Sequence, residues 1–266
     1  MKIYISADIE GCCGVTNWNE ADITHAEYAP ARAQMTAEVV AACEGAIAAG
    51  ATEILVKDAH ASGRNLIGSD LPRQARLIRS WSGHPLCMVQ ELDACFDAAL
   101  FIGYHARAGS SGNPLAHTMT SSRIARMRIN DRPVSEYQLH AYAAAMFDVP
   151  VVFLSGDEDI CLEVETVSPA CGTLAVKKGV GASTVNLHPA EAIEGIRAGC
   201  QEALAGGVHA APLHIPEKLV LEVDYKDHQL AYARGFYPGA EQTSPLTVRL
   251  DATDYYEVLR ALRFLL

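Results

Sequence analysis

The chain has 266 residues, of which 50% are apolar and 20% are charged, and its formal net charge is −11. This length and composition are typical of one large globular domain, or of a main domain with a smaller appendage. The acidic balance argues against nucleic-acid binding, because neutralising a phosphate backbone requires clustered Lys and Arg. No stretch approaches the roughly 18 consecutive apolar residues of a membrane-spanning helix, so we expect no membrane partner.

The eight cysteines show neither C-x-x-C spacing nor the pattern of a small disulfide framework. The N-terminal segment MKIYISADIEG has an apolar run that is too short for a signal peptide and is interrupted by Asp8 and Glu10. We therefore expect a cytoplasmic protein with reduced, mostly buried thiols, including the adjacent Cys12 and Cys13.

Taken in chain order, the sequence predicts strands that alternate with helices. The expected strands are Lys2–Ile9, Glu53–Val56, Ala98–Ile102 and Pro150–Leu154, with a hairpin over Arg126–Val134 that turns at Asn130-Asp131. The expected helices are Ala31–Ala49 and Ser135–Phe147, the second capped by Ser135. Such alternation is typical of an α/β fold with a mostly parallel sheet flanked by helices.

The composition changes near Ala205, where AGGVHAAPLHIP is typical of a linker. The pattern beyond it predicts a strand at Leu219–Val223, a helix, a strand at Leu246–Leu250 and a last helix. We therefore predict an α/β core over residues 1–208 and a small C-terminal α+β subdomain over residues 209–266.

Polar side chains follow three of the expected strands: Asp8 and Glu10 the first, Asp58 and His60 the second, and His105 the third. Ligands of open α/β sheets bind beyond the carboxyl ends of the strands, so we expect these side chains to converge. Imidazoles combined with several carboxylates are ligands of zinc, manganese or iron. A carboxylate can also bridge two ions about 3.5–4 Å apart, as in binuclear hydrolases, and Asp8 at its rigid strand end is the natural bridge.

Two further residues have weaker signals. His117 lies in a loop shortly after His105, among Gly and Ser, and is a candidate proton shuttle or oxyanion partner. Glu136 begins a predicted helix, where a carboxylate suits the helix dipole whatever else it does. Nucleotide binding has no support, because no G-x-G-x-x-G follows a strand and no G-x-x-x-x-G-K-[ST] occurs.

Six segments carry a more specific signal because they occur together and in a fixed order. They are Ser6–Gly11, which fits S-x-D-x-E-G, then Val56–His60, Gly103–Ala106, His117–Met119, Ile129–Glu136 and Ser155–Asp157. In these segments the chain resembles the zinc-dependent D-aminopeptidases, the DppA type of dipeptide-transport operons. The likeness is weaker at Ala175–Lys177 and in the C-terminal tail.

The resemblance implies a zinc aminopeptidase that removes the N-terminal residue of short peptides or amino-acid amides, with D-Ala-type substrates. It implies two zinc ions per subunit and His117 as a catalytic histidine. It also implies a homo-oligomer built from rings, for which a decamer is the family precedent. The ligands that it implies for the two ions are Asp8, Glu10, His60, His105 and Glu136.

Two departures from the family pattern bear on substrate fit. The segment after Lys177 lacks the arginine expected near Ser183, and Cys12-Cys13 replaces small or aliphatic residues. Two other functions are also open. D-x-H and G-Y-H occur in binuclear phosphoesterases, although the first strand carries D-x-E and no G-N-H-[DE] is present. A non-catalytic peptide-binding or assembly protein could use the same carboxylates to hold a structural metal.

Overall fold

The computed structural model describes residues 1–266. Its elements in chain order are β1 (Lys2–Ala7), α1 (Trp18–Ala21), α2 (Tyr28–Ala48), β2 (Glu53–Asp58), β3 (Ala75–Ile78), β4 (Ala98–Tyr104), β5 (Ile124–Ile129), β6 (Arg132–Pro133), α3 (Glu136–Ala145), β7 (Val151–Asp157), α4 (Glu158–Val167), β8 (Gly172–Val180), β9 (Ser183–Asn186), α5 (Pro189–Leu204), β10 (Leu219–Tyr225), α6 (His228–Arg234), β11 (Ala240–Gln242), β12 (Thr247–Ala252) and α7 (Tyr255–Leu265).

The larger of two sheets has seven strands in the order β3-β2-β1-β4-β7-β8-β9. All of its pairings are parallel except that of β8 with β9. Strands β2 and β3 lie on one side of β1, whereas β4 and β7, which come later in the chain, lie on its other side. The carboxyl ends of β1 and β4 therefore flank a topological switch point, where open α/β sheets bind ligands. The predicted α/β fold with a mostly parallel sheet is confirmed.

The central strands are buried and mostly apolar because helices cover both faces of the sheet. Every residue of β4 and β7 is buried, as expected for a parallel strand between two helical layers. On one face, α2 packs directly against α5. Gly45 allows this close approach, because a Cβ atom there would collide with the carbonyl oxygen of Arg197.

The second sheet is antiparallel, with the order β11-β12-β10-β5-β6. Its central strand β10 pairs with β12 on one side and with β5 on the other, in the register Val223 opposite Met127. The C-terminal strands are therefore completed by the predicted hairpin from the first half of the chain. Residues 205–218, which contain neither helix nor strand, connect the two parts. The predicted boundary at residue 208 stays a prediction.

Helix α7 packs against the second sheet and against α3. The hydroxyl of Tyr255 donates a 2.7 Å hydrogen bond to the carbonyl of Leu139, and both residues are buried. This contact brings the C-terminal helix beside the first turn of α3, close to the switch point of the large sheet. No helix in the structure combines the length and the apolar character needed to cross a bilayer.

Candidate functional site

Three parallel strands deliver the first four candidate side chains to one edge of the large sheet. Asp8 directly follows β1 and Glu10 lies two residues further on, His60 follows β2, and His105 directly follows β4. The segments after β1 and β4 approach closely because of Gly103, which has a φ of 73°. A Cβ atom at that position would collide with the carbonyl oxygen of Asp8.

The remaining two candidates come from the loop after β4 and from the start of α3. Glu136 is the first residue of α3, and the hydroxyl of Ser135 caps this helix by accepting from the backbone N–H of Gln138. One carboxylate oxygen of Glu136 accepts a 2.6 Å hydrogen bond from the backbone N–H of Met119. This bond fixes the loop that carries His117 against the helix.

The structure brings all six predicted side chains together, in two groups that share Asp8. In the first group, Nδ1 of His60 lies 3.3 Å from Oδ1 of Asp8 and 2.9 Å from Oε2 of Glu10. In the second, Nε2 of His105 lies 3.5 Å from Oδ2 of Asp8 and 3.6 Å from Oε2 of Glu136. Asp8 therefore directs one carboxylate oxygen towards each group.

The third imidazole extends the second group towards solvent. Nε2 of His117 lies 3.5 Å from Oε1 of Glu136. His105, His117 and Glu136 have potential ligand atoms close enough to hold a common ion, as do Asp8, Glu10 and His60. Geometry alone thus allows His117 either to bind an ion or to act beside one.

Each imidazole in the cluster uses its other ring nitrogen to donate a hydrogen bond to a backbone carbonyl. The acceptors are the carbonyls of Ala21 for His60 (2.7 Å), Ala106 for His105 (3.0 Å) and Leu115 for His117 (2.9 Å). A carbonyl can only accept, so these nitrogens carry the protons. In the neutral rings, the nitrogens that face the carboxylates are then free to bind a cation. Metal-binding histidines are oriented in this way.

The electrostatics of the cluster also fit a cation. Burial and the neighbouring Glu10 carboxylate raise the pKa of Asp8 well above its usual value. Burial favours the neutral form of His105, but Glu136 and Asp8 outweigh it and raise the pKa of His105 to about 10. Oε2 of Glu10 and Nε2 of His105 are buried without a hydrogen-bond partner. Since unpaired buried polar atoms are costly, a divalent cation between these groups would satisfy them.

Asp58, the other carboxylate expected at a strand end, does not face the cluster. Its side chain accepts hydrogen bonds from the backbone N–H groups of Asn65 and Leu66 and from the Asn65 amide. The same amide donates to the carbonyl of His60 at 2.7 Å. Asp58 therefore stabilises the loop that carries His60, and the expectation that it joins the convergent side chains is wrong.

Sequence reasoning missed Asn113 and Lys177, which hold the segment after β1 in place. The Asn113 amide donates to the carbonyl of Glu10 and to Oδ2 of Asp157, both at 2.9 Å. Buried Lys177 donates to the carbonyls of Glu10 and Val15. These contacts span 44 to 167 positions of sequence, so no local pattern indicates them. The only sequence signal was that Asp157 and Lys177 lie in segments of family likeness.

A cavity of about 710 Å³ opens over the cluster. Its apolar wall contains Trp18, Ile23, Trp81 and Met119, and the ring of Trp18 packs edge-on at 5.4 Å against His117. A volume of this size suits a small organic ligand rather than a folded protein.

The two departures from the family pattern do not line this cavity. The adjacent Cys12 and Cys13 are buried beneath it with free thiols, and the Cys12 thiol donates to the carbonyl of Asp8. Ser183 is exposed at the start of β9, outside the cavity lining. Within one subunit, neither departure alters a residue of the cavity wall.

Comparisons with known proteins agree with this geometry. A family model described as D-aminopeptidase, peptidase family M55, matches residues 1–264. A D-aminopeptidase of Bacillus subtilis (strain 168) is 36% identical over 264 residues, which are 98% of this chain and 95% of that relative. The solved structure of the Zn-dependent D-aminopeptidase DppA from Bacillus subtilis, described as a self-compartmentalizing protease, superposes with a TM-score of 0.93 and 33% identity, over 100% of this chain and 96% of that one.

These matches extend over both sheets and over every segment that carries a candidate site residue. They confirm the predicted enzyme class, a metallo-aminopeptidase, along with the predicted fold. By the match of its whole length to the family model and by its identity to the curated relative, the chain belongs to the D-aminopeptidase family.

Proposed function

We propose that this protein is a binuclear zinc aminopeptidase that removes the N-terminal residue from short peptides or amino-acid amides, with a preference for D-configured residues. The observation that carries the proposal is the position of Asp8, which directs one carboxylate oxygen towards His60 and the other towards His105. A carboxylate between two such groups is suited to bridging two ions. The D preference rests on the names of the relatives.

In this proposal Asp8, Glu10 and His60 would hold one ion, and Asp8, His105 and Glu136 would hold the other. All five side chains are buried, which limits their contact with bulk water and restricts their orientation. When bound, zinc polarises the scissile carbonyl and lowers the pKa of a water molecule towards about 7.

His117 acts from the cavity side of the cluster. Its Nδ1–H donates to the carbonyl of Leu115, so Nε2 is the atom available for proton transfer. Nε2 accepts a proton from the attacking water and later donates it to the leaving amine. Glu136 orients the ring through its contact with Nε2, and Trp18 covers one edge of the imidazole. General acid–base catalysis of this kind contributes roughly 10²–10⁴ in rate.

The assembly is part of the proposal. The structural relative from Bacillus subtilis is described as self-compartmentalizing, and we infer a homo-oligomer built from rings, with ten subunits, for this chain. Size-exclusion chromatography with light scattering measures the subunit number directly. A monomer in the zinc-loaded state would contradict this part of the proposal without affecting the assigned chemistry.

The decisive experiment compares hydrolysis of matched D-Ala and L-Ala dipeptides and amides, with zinc added or removed by a chelator. We expect chelator-sensitive turnover that favours the D substrates, with two zinc ions per subunit by elemental analysis. Turnover that favours L substrates would overturn the stereochemical assignment and keep the metallopeptidase. Bound metal without turnover of any peptide or amide would overturn the proposed activity, and a phosphodiester substrate then tests the phosphoesterase alternative.

A further inference from the structure

The cavity over the cluster is lined by one basic side chain. Four carboxylates line it, those of Asp8, Glu10, Asp22 and Glu136, whereas Arg263 is its only Lys or Arg. Arg263 lies in the last turn of α7, whose first residue, Tyr255, donates a hydrogen bond to Leu139 of α3. The wall beside it contains Trp81 and Cys87.

Arg263 has no anionic partner within the chain. Other arginines of this region are engaged: Arg260 pairs with Glu257 at 3.7 Å, and Arg234 donates to the backbone oxygen of Leu266 at 2.7 Å. No hydrogen bond or ion pair joins the Arg263 guanidinium to another residue, and the side chain is exposed to the cavity. A guanidinium that is free within the cavity is available to a ligand.

The chemistry of a short peptide indicates what that ligand is. With the scissile bond at the cluster, the rest of a di- or tripeptide extends into the cavity and ends in a carboxylate. Outside the proposed ion ligands, Arg263 is the one cationic side chain of the cavity lining that can pair with this group. The planar guanidinium of arginine matches a carboxylate with two parallel hydrogen bonds, which gives both affinity and orientation.

We propose that Arg263 binds the C-terminal carboxylate of the substrate, so that a free-acid peptide binds more tightly than the same peptide with a C-terminal amide. This inference rests on the proposed aminopeptidase function and narrows its substrate class. A purely structural role of Arg263 predicts an effect on stability alone. A basic residue in the last turn of a helix interacts favourably with the helix dipole, which affects stability and not the choice of substrate.

The test compares two substrates that differ only in the terminal group: D-Ala-D-Ala and its C-terminal amide. The zinc-loaded enzyme is assayed as wild type, Arg263→Met, Arg263→Lys and the control Arg260→Met, which removes an arginine of the same helix outside the cavity. We expect Arg263→Met to raise KM for the free acid about tenfold to hundredfold, the range for a lost charge-assisted contact, and to leave KM for the amide unchanged. Arg263→Lys restores part of the loss, and Arg260→Met matches wild type.

Three outcomes separate this inference from the function on which it rests. Equal effects of Arg263→Met on both substrates, or no effect on either, overturn the carboxylate assignment while the aminopeptidase stands. Equal KM values of the wild-type enzyme for acid and amide overturn it too. Failure of the wild-type enzyme to hydrolyse either substrate, with zinc bound, overturns the proposed function and the inference with it.

Discussion

The imidazole rings of His105 and His117 stack with their centroids 4.3 Å apart and an angle of 12° between their planes. Glu136 spans the pair, with one carboxylate oxygen near Nε2 of each ring. The two rings differ in access: the side chain of His105 is fully buried, whereas that of His117 is 11% exposed and lines the cavity. This difference in access supports the proposed division, in which His105 binds an ion and His117 contacts the substrate.

Replacement of His117 with Ala tests that division. The remaining five side chains suffice for two ions, so we expect unchanged zinc content and a kcat reduced by roughly 10²–10⁴. Elemental analysis of the purified variant and steady-state kinetics measure the two effects separately. Loss of one zinc ion per subunit would instead identify His117 as a ligand.

Replacement of His60 with Ala removes the only imidazole of the first group. We expect tight zinc binding to fall from two ions per subunit to one, and hydrolysis to be lost, since Asp8 and Glu10 alone form an incomplete site. His25→Ala is the matched control, because His25 is exposed in a loop outside the cavity lining. A His60→Ala variant with two tightly bound ions would contradict the ligand assignment.

A substitution of Asn113 tests the hydrogen bonds that hold the segment of the proposed ligand Glu10 in place. Its amide links the Glu10 carbonyl to Asp157, so Asn113→Ala releases the segment that carries Glu10. We expect about tenfold to hundredfold weaker zinc affinity, which is the usual cost of losing a contact that orients a ligand. Competition with a chromophoric chelator measures the affinity, and Gln201→Ala, which changes an exposed amide on α5, is the control. Equal zinc affinity in both variants would refute the role of Asn113.

The burial of Lys57 predicts that its contribution to the free energy of unfolding depends on pH. Its ammonium is buried against the ring of Trp81, 3.8 Å away, and donates to the carbonyls of Asp58 and Ser80. Burial lowers the pKa of Lys57 from 10.5 to about 8. Between these two values the unfolded chain holds the proton more tightly than the folded chain does. Stability therefore rises with pH across this window.

Comparison with Lys57→Met isolates this contribution. The free energy of unfolding of the wild type relative to the variant should be constant below pH about 8 and increase from there towards about 10. Denaturant unfolding of both proteins at several pH values measures it. Lys218→Met, which removes an exposed positive charge, serves as the control. A difference that is flat with pH, or that falls, would contradict the prediction.

The close approach of the chain at Gly103 predicts that a larger residue there destabilises the protein by overpacking at the switch point of the sheet. Gly103→Ala combines the cost of a left-handed backbone, about 1–2 kcal/mol, with an overpacking cost of about 1–3 kcal/mol against the Asp8 carbonyl and the Cys12 thiol. Gly14→Ala is the matched control, since Gly14 also has a positive φ but faces open space. Denaturant unfolding should show a larger loss for Gly103→Ala, and equal losses would exclude the packing effect.

Most of the fold and of the cluster follows from local sequence patterns. The apolar runs of β1, β4 and β7 predict buried parallel strands, and the polar residues directly after β1, β2 and β4 predict where Asp8, Glu10, His60 and His105 meet. Glu136 and His117 depended on likeness to a family, because an acid at a helix start and a histidine in a loop are common. Helix α5 was absent from the prediction, although its buried positions recur every four residues, at Ala192, Ile196, Cys200 and Leu204.

The sequence by itself thus determined the alternation of strands and helices, the strand ends that carry ligand-type side chains, and the family. Only the tertiary structure decided that Asp58 turns away to hold Asn65, that Asn113 supports Glu10, and that Arg263 reaches the cavity. The reason is physical. Strand and helix formation depends on neighbours along the chain, whereas the direction of a side chain depends on contacts that no local pattern encodes, as when Asn113 contacts Glu10 across 103 positions.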